Sequence, residues 1–196
     1  MARQPGAAEL TSWVNAVNTG TTPAQVAQTF VTSNEFRANA INQLYEQYLG
    51  RPADSSGITW WTAVWNANGG PEEVQAGIIG SPEYYATAGK QYSNLSPDAA
   101  WVTALYHDLL HRDVDPSGLS YWLNYIQTNS RASVVIGFVT SDEYRLNLIG
   151  NWFETYLGRA VDAGSAQSFV KAMDAGLTQD QLLTTIVSSQ EYINKS

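Results

Sequence analysis

The stretch DVDPSG, at residues 113–118, places oxygen-bearing side chains where a calcium loop requires them. Asp113, Asp115 and Ser117 occupy positions 1, 3 and 5, and Gly118 occupies position 6, as in the first half of an EF-hand loop. Such a loop ends in a bidentate Glu at position 12, whereas this chain has Asn124 there. Calcium bound by Asp113, Asp115 and Ser117 is therefore a hypothesis, and no other cofactor is predicted.

The two histidines of the chain, His107 and His111, are four residues apart and would share one face of a helix. No Glu directly follows the first histidine, so the pair lacks the HExxH pattern of zinc peptidases. The chain has no cysteine, which excludes thiolate ligands, thiolate catalysis and disulfides. Zinc remains a weaker alternative, and no catalytic triad is indicated.

Aromatic residues are abundant, with 7 Trp and 11 Tyr, and they could fill a core or form a contact surface. Trp61 and Trp122 are expected in the core. Trp60 and Tyr121 directly precede them and should point towards a different face. Together with Tyr85 they could form a platform on which a sugar or a protein stacks. Packing between neighbouring units would explain the same three residues.

Two motifs recur along the chain and indicate internal repeats. The first, Ser-x-Glu-aromatic, begins at Ser33, Ser81, Ser141 and Ser189, with spacings of 48, 60 and 48 residues. The second is an Arg followed three residues later by an Asp. It occurs at Arg51 and Asp54, at Arg112 and Asp115, and at Arg159 and Asp162. We predict three units of about 48 residues after the second half of another unit.

The apolar pattern within each unit is helical. In residues 33–50, Phe36, Ala40, Ile41 and Leu44 recur at intervals of three or four, which predicts one long helix ending near Gly50. Two further helices should follow in each unit. The predicted fold is all-α, with tandem three-helix repeats packed into one bundle-like array. The segments are a half repeat at 7–41, repeat one at 42–89, an insert at 90–100, repeat two at 101–150 and repeat three at 151–196.

The repeated polar residues have structural explanations. A Ser before Pro-Glu, as in residues 81–83, is typical of a helix N-cap with Pro at the first helical position. The Asp of the second motif should cap the next helix in the same way, and the Arg could bind that Asp or the carbonyls that end the preceding helix. The predicted junction residues are Arg51, Asp54, Gly57, Arg112, Asp115, Gly118, Arg159 and Asp162.

Composition excludes several classes of function. A formal net charge of -8 disfavours nucleic-acid binding, which requires clustered Lys and Arg. No apolar run is long enough to cross a bilayer, and the first residues contain no apolar signal segment. No cleft of converging polar groups is indicated outside the helix caps. The sequence therefore predicts a protein that is not an enzyme.

Both motifs carry a family resemblance. The segments LYEQYLGRPADSSGITWW with GSPEYY, and LYHDLLHRDVDPSGLSYW with TSDEYR, resemble the bacterial domain of unknown function called family forty-two-fourteen. The pattern follows essentially the whole chain, although Gly164 falls one residue early in repeat three and Phe169 replaces Trp. The family is also similar to phycobilisome linker domains.

The resemblance implies a helical module of large bacterial secreted, surface-layer or adhesin-like proteins, and it supplies no catalytic residues. The expected function is a scaffold for contacts with other proteins or a cell-surface polymer, outside the cell or at its surface. A glycan-binding module that uses Trp60, Tyr121 and Tyr85 is the alternative.

Overall fold

The computed structural model describes residues 4–68 and 70–195, and within them every regular element is helical. The predicted all-α fold is therefore confirmed. The helices of the described chain, α1 to α13, are Ala7–Asn18, Pro23–Val31, Asn34–Leu49, Ser55–Asn68, Glu72–Ile79, Pro82–Gln91, Pro97–Leu110, Pro116–Tyr125, Arg131–Val139, Asp142–Trp152, Ala163–Asp174, Gln179–Val187 and Gln190–Lys195. A π-helical turn, Phe153–Leu157, directly follows α10.

Side-chain caps set the starts of many helices. The Ser81 hydroxyl accepts a hydrogen bond from the Tyr84 amide at 3.2 Å, and Pro82 occupies the first helical position of α6. A cap of this kind satisfies one of the amides that the first helical turn leaves without a partner. The predicted capping by Ser81 is thus observed.

Left-handed residues end the long helices. Gly50 and Gly158 have φ angles of 67° and 68°, which glycine adopts without steric cost. The third helix of this kind, α7, ends at His111 with a φ of 55°. The insert interrupts the helical chain, because α6 ends at Gln91 and α7 begins at Pro97.

The chain divides into two compact units, and the repeat boundaries proposed from the sequence remain a prediction. Unit 1 is Met1–Ala40 with Ile149–Ser196, and unit 2 is Ile41–Leu148. In unit 2, α5 packs against α9, and α7 packs against α6, α8 and α9. The fully buried side chains of that unit include Trp101, Leu105 and Val135.

Unit 1 is built around the packing of α2 against α12. Leu182 and Ile186 of α12 are buried, as is Val31 of α2. A buried ion pair joins Arg37 Nη2 to Asp180 Oδ2 at 3.0 Å. Charges taken out of water need such a partner, since an isolated buried charge would be strongly destabilising.

In the part of the chain that the structure describes, none of the helices has the length and apolar character needed to span a membrane.

Candidate functional site

The repeated Asp residues cap the helices that follow them. Each Oδ1 accepts a hydrogen bond from a backbone amide three residues later, at distances of 2.7, 2.8 and 2.9 Å for Asp54, Asp115 and Asp162. In the first two loops a serine hydroxyl, Ser56 or Ser117, also donates to the same oxygen at 2.5 Å. The loops are therefore closed by local hydrogen bonds at the starts of α4, α8 and α11.

Each repeated Arg forms a bidentate ion pair with a Glu of the Ser-x-Glu motif, which we call an Arg–Glu clamp. In the second clamp, Arg112 Nε and Nη2 donate to Glu143 at 2.6 and 3.0 Å. Two parallel hydrogen bonds between a guanidinium and a carboxylate are the strongest geometry available to this pair. The three clamps are Arg51–Glu83, Arg112–Glu143 and Arg159–Glu191.

The guanidinium groups of the clamps also lie over aromatic rings. Arg112 lies 4.7 Å from the ring centre of Tyr106, and Arg51 lies 5.1 Å from that of Tyr45. At this range the face of an aromatic ring attracts a cation. Each Arg donates in addition to the carbonyl of the next residue, for example Arg112 Nη1 to the Asp113 oxygen at 3.1 Å.

Close packing explains the glycine of the junction. A Cβ atom on Gly118 would collide with Tyr106 Oη and lie 3.0 Å from its Cζ, and one on Gly57 would lie 3.2 Å from Tyr45 Oη. In the third junction Ser165 follows the Asp at the same distance, and Phe153 occupies the place of the tyrosine. The junction with a serine in place of the glycine therefore has a phenylalanine in place of the tyrosine, and this ring has no hydroxyl.

Hydrogen bonds and ion pairs at the junctions favour the charged forms of the capping Asp and of the Arg–Glu clamps. Hydrogen bonds from Ser117, then from the Gly118 amide, with a smaller contribution from Arg112, lower the pKa of Asp115 to about 2. The hydrogen bond from Arg51 lowers the pKa of Glu83, and that from Arg159 lowers the pKa of Glu191. The same pairing raises the pKa of the three arginines. The lowered pKa values of these carboxyl groups thus have structural causes, a helix cap for Asp115 and ion pairs for Glu83 and Glu191.

The hydrogen bonds of Asp115 disfavour calcium binding by Asp113, Asp115 and Ser117. Asp115 Oδ1 accepts from Ser117 and Gly118, and Arg112 Nη1 lies 3.5 Å from Oδ2. A calcium ion there would have to replace the serine donor and would face the positive charge of Arg112. Within residues 4–68 and 70–195, no group of three or more His, Asp or Glu side chains is placed to hold a metal ion.

The second junction lies within a segment that matches a known protein family. Residues 76–148 match the model of the family Domain of unknown function (DUF4214). The family predicted from the sequence is confirmed for this segment, which contains the Arg112–Glu143 clamp and the Asp115 cap. The DUF4214 match also contains all of α6 to α9. No curated protein and no solved structure matches the chain.

The three aromatic residues proposed as a platform lie in different surroundings. Trp60 and Tyr121 are 65% and 58% exposed, on α4 and α8 respectively. Both stand nine residues after a clamp arginine. Tyr121 stacks on Tyr125, with ring centres 6.2 Å apart. The ring contacts of the described residues do not connect Trp60, Tyr85 and Tyr121 to one another.

Tyr85 is held within unit 2. Its hydroxyl donates to Asp98 Oδ1 at 2.8 Å, and the Arg131 guanidinium lies 4.6 Å from the centre of its ring. Arg131 Nε in turn donates to the Gly80 carbonyl at 3.1 Å. Because a cation covers one ring face and the hydroxyl is bonded, Tyr85 acts here as a connection between α6, α7 and the start of α9.

A cluster of buried tyrosines in unit 2 was not anticipated from the sequence. Tyr84 Oη donates to Asp108 at 2.7 Å, and Gln75 Nε2 donates to Tyr144 Oη at 2.7 Å. Burial is the main cause that raises the pKa of Tyr48 and Tyr84, and it raises that of Tyr144 to about 12. The Ser-x-Glu-aromatic motif could have indicated this cluster, because Tyr84 and Tyr144 are both the aromatic residue of that motif.

Proposed function

We propose that this chain is a non-enzymatic helical module of a bacterial secreted or cell-surface protein, and that it scaffolds contacts with other proteins. The observation that carries the proposal is the exposure of Trp60 on α4 and Tyr121 on α8, each nine residues after a clamp arginine. Large exposed aromatics are typical anchors of protein interfaces, because they bury much apolar area with little loss of conformational entropy.

The non-enzymatic part of the proposal has separate support. The pKa is lowered for the Asp caps Asp54, Asp115 and Asp162 and for the clamp residues Glu83 and Glu191. Perturbed carboxyl groups are candidates for catalysis in general. Here each perturbation has a structural cause in a cap or an ion pair. Localisation outside the cell follows only from the family resemblance and is part of the proposal.

Glycan binding is the second candidate, because the face of an exposed Trp or Tyr also stacks on a sugar ring. The DUF4214 match leaves both functions open, since that family is described as one of unknown function. Trp60 and Tyr121 are the two residues that either function would use.

The two candidates differ in the chemistry of the partner. The labelled chain should be incubated with the cell-envelope fraction of the bacterium that encodes it, either untreated, digested with protease or oxidised with periodate. A protein partner predicts retention that protease abolishes and periodate leaves intact. A glycan partner predicts the reverse.

Substitutions then locate the surface. Trp60→Ala and Tyr121→Ala should each reduce retention, whereas Leu95→Ala should leave it unchanged. Leu95 is a suitable control because it is an exposed apolar residue between α6 and α7. Retention that neither aromatic substitution reduces would contradict both forms of the proposal.

A further inference from the structure

The helices that precede the four Ser-x-Glu motifs pack against one another in two pairs. These helices are α2, α5, α9 and α12, and each ends two residues before the serine of its motif. Unit 1 pairs α2 with α12, and unit 2 pairs α5 with α9. Both interfaces are therefore built from two corresponding elements, whose residues can be compared position by position.

A buried ion pair joins α12 to α3, the helix that follows α2. Arg37 stands four residues after Ser33, and Asp180 stands nine residues before Ser189. Arg37 Nη2 donates to Asp180 Oδ2 at 3.0 Å, and the two side chains are 7% and 11% exposed. The contact therefore connects the two separate segments of sequence from which unit 1 is formed.

The same residue types recur at the corresponding positions of unit 2. Arg145 stands four residues after the serine of its motif, and Glu72 stands nine residues before the serine of its own. The Nε atoms of Arg37 and Arg145 are both buried. Burial raises the pKa of Tyr144, the neighbour of Arg145, to about 12, and the negative charge of Glu72 contributes to this rise. Unit 2 thus also places an acid of one helix near the motif that follows its partner.

The other members of the two pairs carry no charge at these positions. Nine residues before the serine, α2 and α9 have Ala24 and Ala132. Four residues after the serine, the helices that follow α5 and α12 have Tyr85 and Ile193. We call α2 and α9 basic-type helices, since an arginine follows them, and α5 and α12 acidic-type helices, since the acid lies in their first turn. Both observed pairs combine one helix of each type.

Tyr85 shows that the residue four positions after the serine reaches the start of the partner helix in unit 2. The guanidinium of Arg131, the first residue of α9, lies 4.6 Å from the centre of its ring. In unit 1, Arg37 reaches Asp180 at the start of α12 in the same way. An arginine in place of Tyr85 would therefore face a positive charge and an alanine instead of an acid.

Pairing two helices of one type would remove charges from water without compensation. Two basic-type helices would each place an arginine against an alanine. Two acidic-type helices would each place an acid against a tyrosine or an isoleucine. Because a buried charge without a counter-ion is strongly destabilising, such mismatches discriminate between partners.

We propose that the Arg37–Asp180 ion pair selects the partner of α2, so that the surface formed by α2 and the first turn of α3 accepts an acidic-type helix and rejects a basic-type one. On this basis α12 of a second copy of the chain fits the surface as well as α12 of the same chain does. Exchange of an identical element between copies re-forms the same contacts. The inference goes beyond the proposed function, which uses Trp60 and Tyr121.

The test uses two full-chain variants with complementary charges. Arg37→Asp brings two carboxylates together and Asp180→Arg brings two guanidinium groups together, so neither chain can form the ion pair within itself or with an identical copy. Each substitution should lower the Tm by roughly 6–20 °C. The two variants are then mixed in urea and refolded by dilution. Both ion pairs can re-form only between the two chains, so sedimentation velocity should show a 1:1 heterodimer whose Tm exceeds that of either variant.

Two controls separate partner selection from general effects of charge. The double variant Arg37→Asp/Asp180→Arg restores complementary charges within one chain, so it should be monomeric with a Tm above that of both single variants, because the two segments have a high effective concentration. Asp142→Arg alters the net charge as Asp180→Arg does, but at an exposed position of α10. It should form no heterodimer with Arg37→Asp.

Three outcomes would overturn the inference. The refolded mixture of Arg37→Asp and Asp180→Arg could contain no 1:1 species. The double variant could be no more stable than the single variants. Asp142→Arg could also replace Asp180→Arg in the heterodimer, which would show that net charge, and not the buried ion pair, drives the association.

Discussion

Arg51 and Glu83 are 32 residues apart in sequence and form two parallel hydrogen bonds, with Nε–Oε1 and Nη2–Oε2 distances of 2.6 and 2.7 Å. The pair connects the loop after α3 to the first turn of α6, across α4 and α5. The carboxylate also lies at a helix N-terminus, where the helix dipole favours negative charge. One Glu thus stabilises its own helix and holds the preceding junction closed.

The clamp should be sensitive to salt. Because the side chains of Arg51 and Glu83 are partly exposed, counterions screen their attraction, and Glu83→Gln should lower the Tm only slightly. The difference in Tm between wild type and variant should shrink as NaCl is raised from low concentration to 1 M. Glu73→Gln is the matched control, since Glu73 also lies in a first helical turn and forms no clamp. A difference that does not depend on salt would contradict an electrostatic role.

Acid should weaken the second junction at Asp115. The folded state lowers the pKa of this carboxyl to about 2, below its value in the unfolded chain. Its contribution to stability is therefore complete above about pH 4 and is lost as the pH falls towards 2. Asp115→Asn keeps a capping oxygen and removes the titration, so the Tm should fall less steeply over this interval. Equal slopes for wild type and Asp115→Asn would exclude this origin.

Gly118 should tolerate no side chain while Tyr106 keeps its hydroxyl. Gly118→Ala places a methyl group against Tyr106 Oη and should destabilise the chain by about 1–3 kcal/mol in urea unfolding. In a Tyr106→Phe background the same substitution should cost less, as the pairing of Phe153 with Ser165 suggests. Gly89→Ala, where no atom lies within 4 Å of the added methyl group, is the control and should not destabilise. Additive effects of the two substitutions would show that the hydroxyl is not the obstacle.

His111→Gly should stabilise the end of α7. A residue with a side chain pays about 1–2 kcal/mol for the left-handed conformation, and glycine offsets part of this gain by losing more backbone entropy on folding. We expect a net gain of about 0.5–1 kcal/mol in the free energy of unfolding, measured in urea. Gly50→Ala reverses the change at a site with open space around it, and it should be destabilising. Loss of stability in His111→Gly would indicate a contact of the imidazole that outweighs the strain.

Local features were predictable because they depend on neighbours in sequence. The capping by Ser81 and Asp115 follows from residue types at fixed offsets, as does the break before Pro97. The clamp partner was not predictable in this way. The sequence placed an Asp three residues from Arg51, and only the folded chain brings Glu83 closer to the guanidinium.

The contacts of Tyr85 also depend on residues that are distant in sequence and could not be predicted from its neighbours. Spacing along the chain suggested an aromatic that is free to stack on a ligand. Its bonded partner, Asp98, lies 13 residues away on another helix, and Arg131 covers the ring from a third. Trp61 and Trp122 were expected in the core and are only partly buried, but the offset of one residue did indicate that Trp60 and Tyr121 are the more exposed neighbours.

The buried tyrosines make unit 2 sensitive to alkali. Burial raises the pKa of Tyr48, Tyr84 and Tyr144 above that of a tyrosine in the unfolded chain, so their contribution to stability is present below about pH 10 and declines as the pH rises. These phenols can ionise readily only after the helices around them separate. A spectrophotometric titration of tyrosinate should therefore contain a late, cooperative step that coincides with the loss of helical circular dichroism.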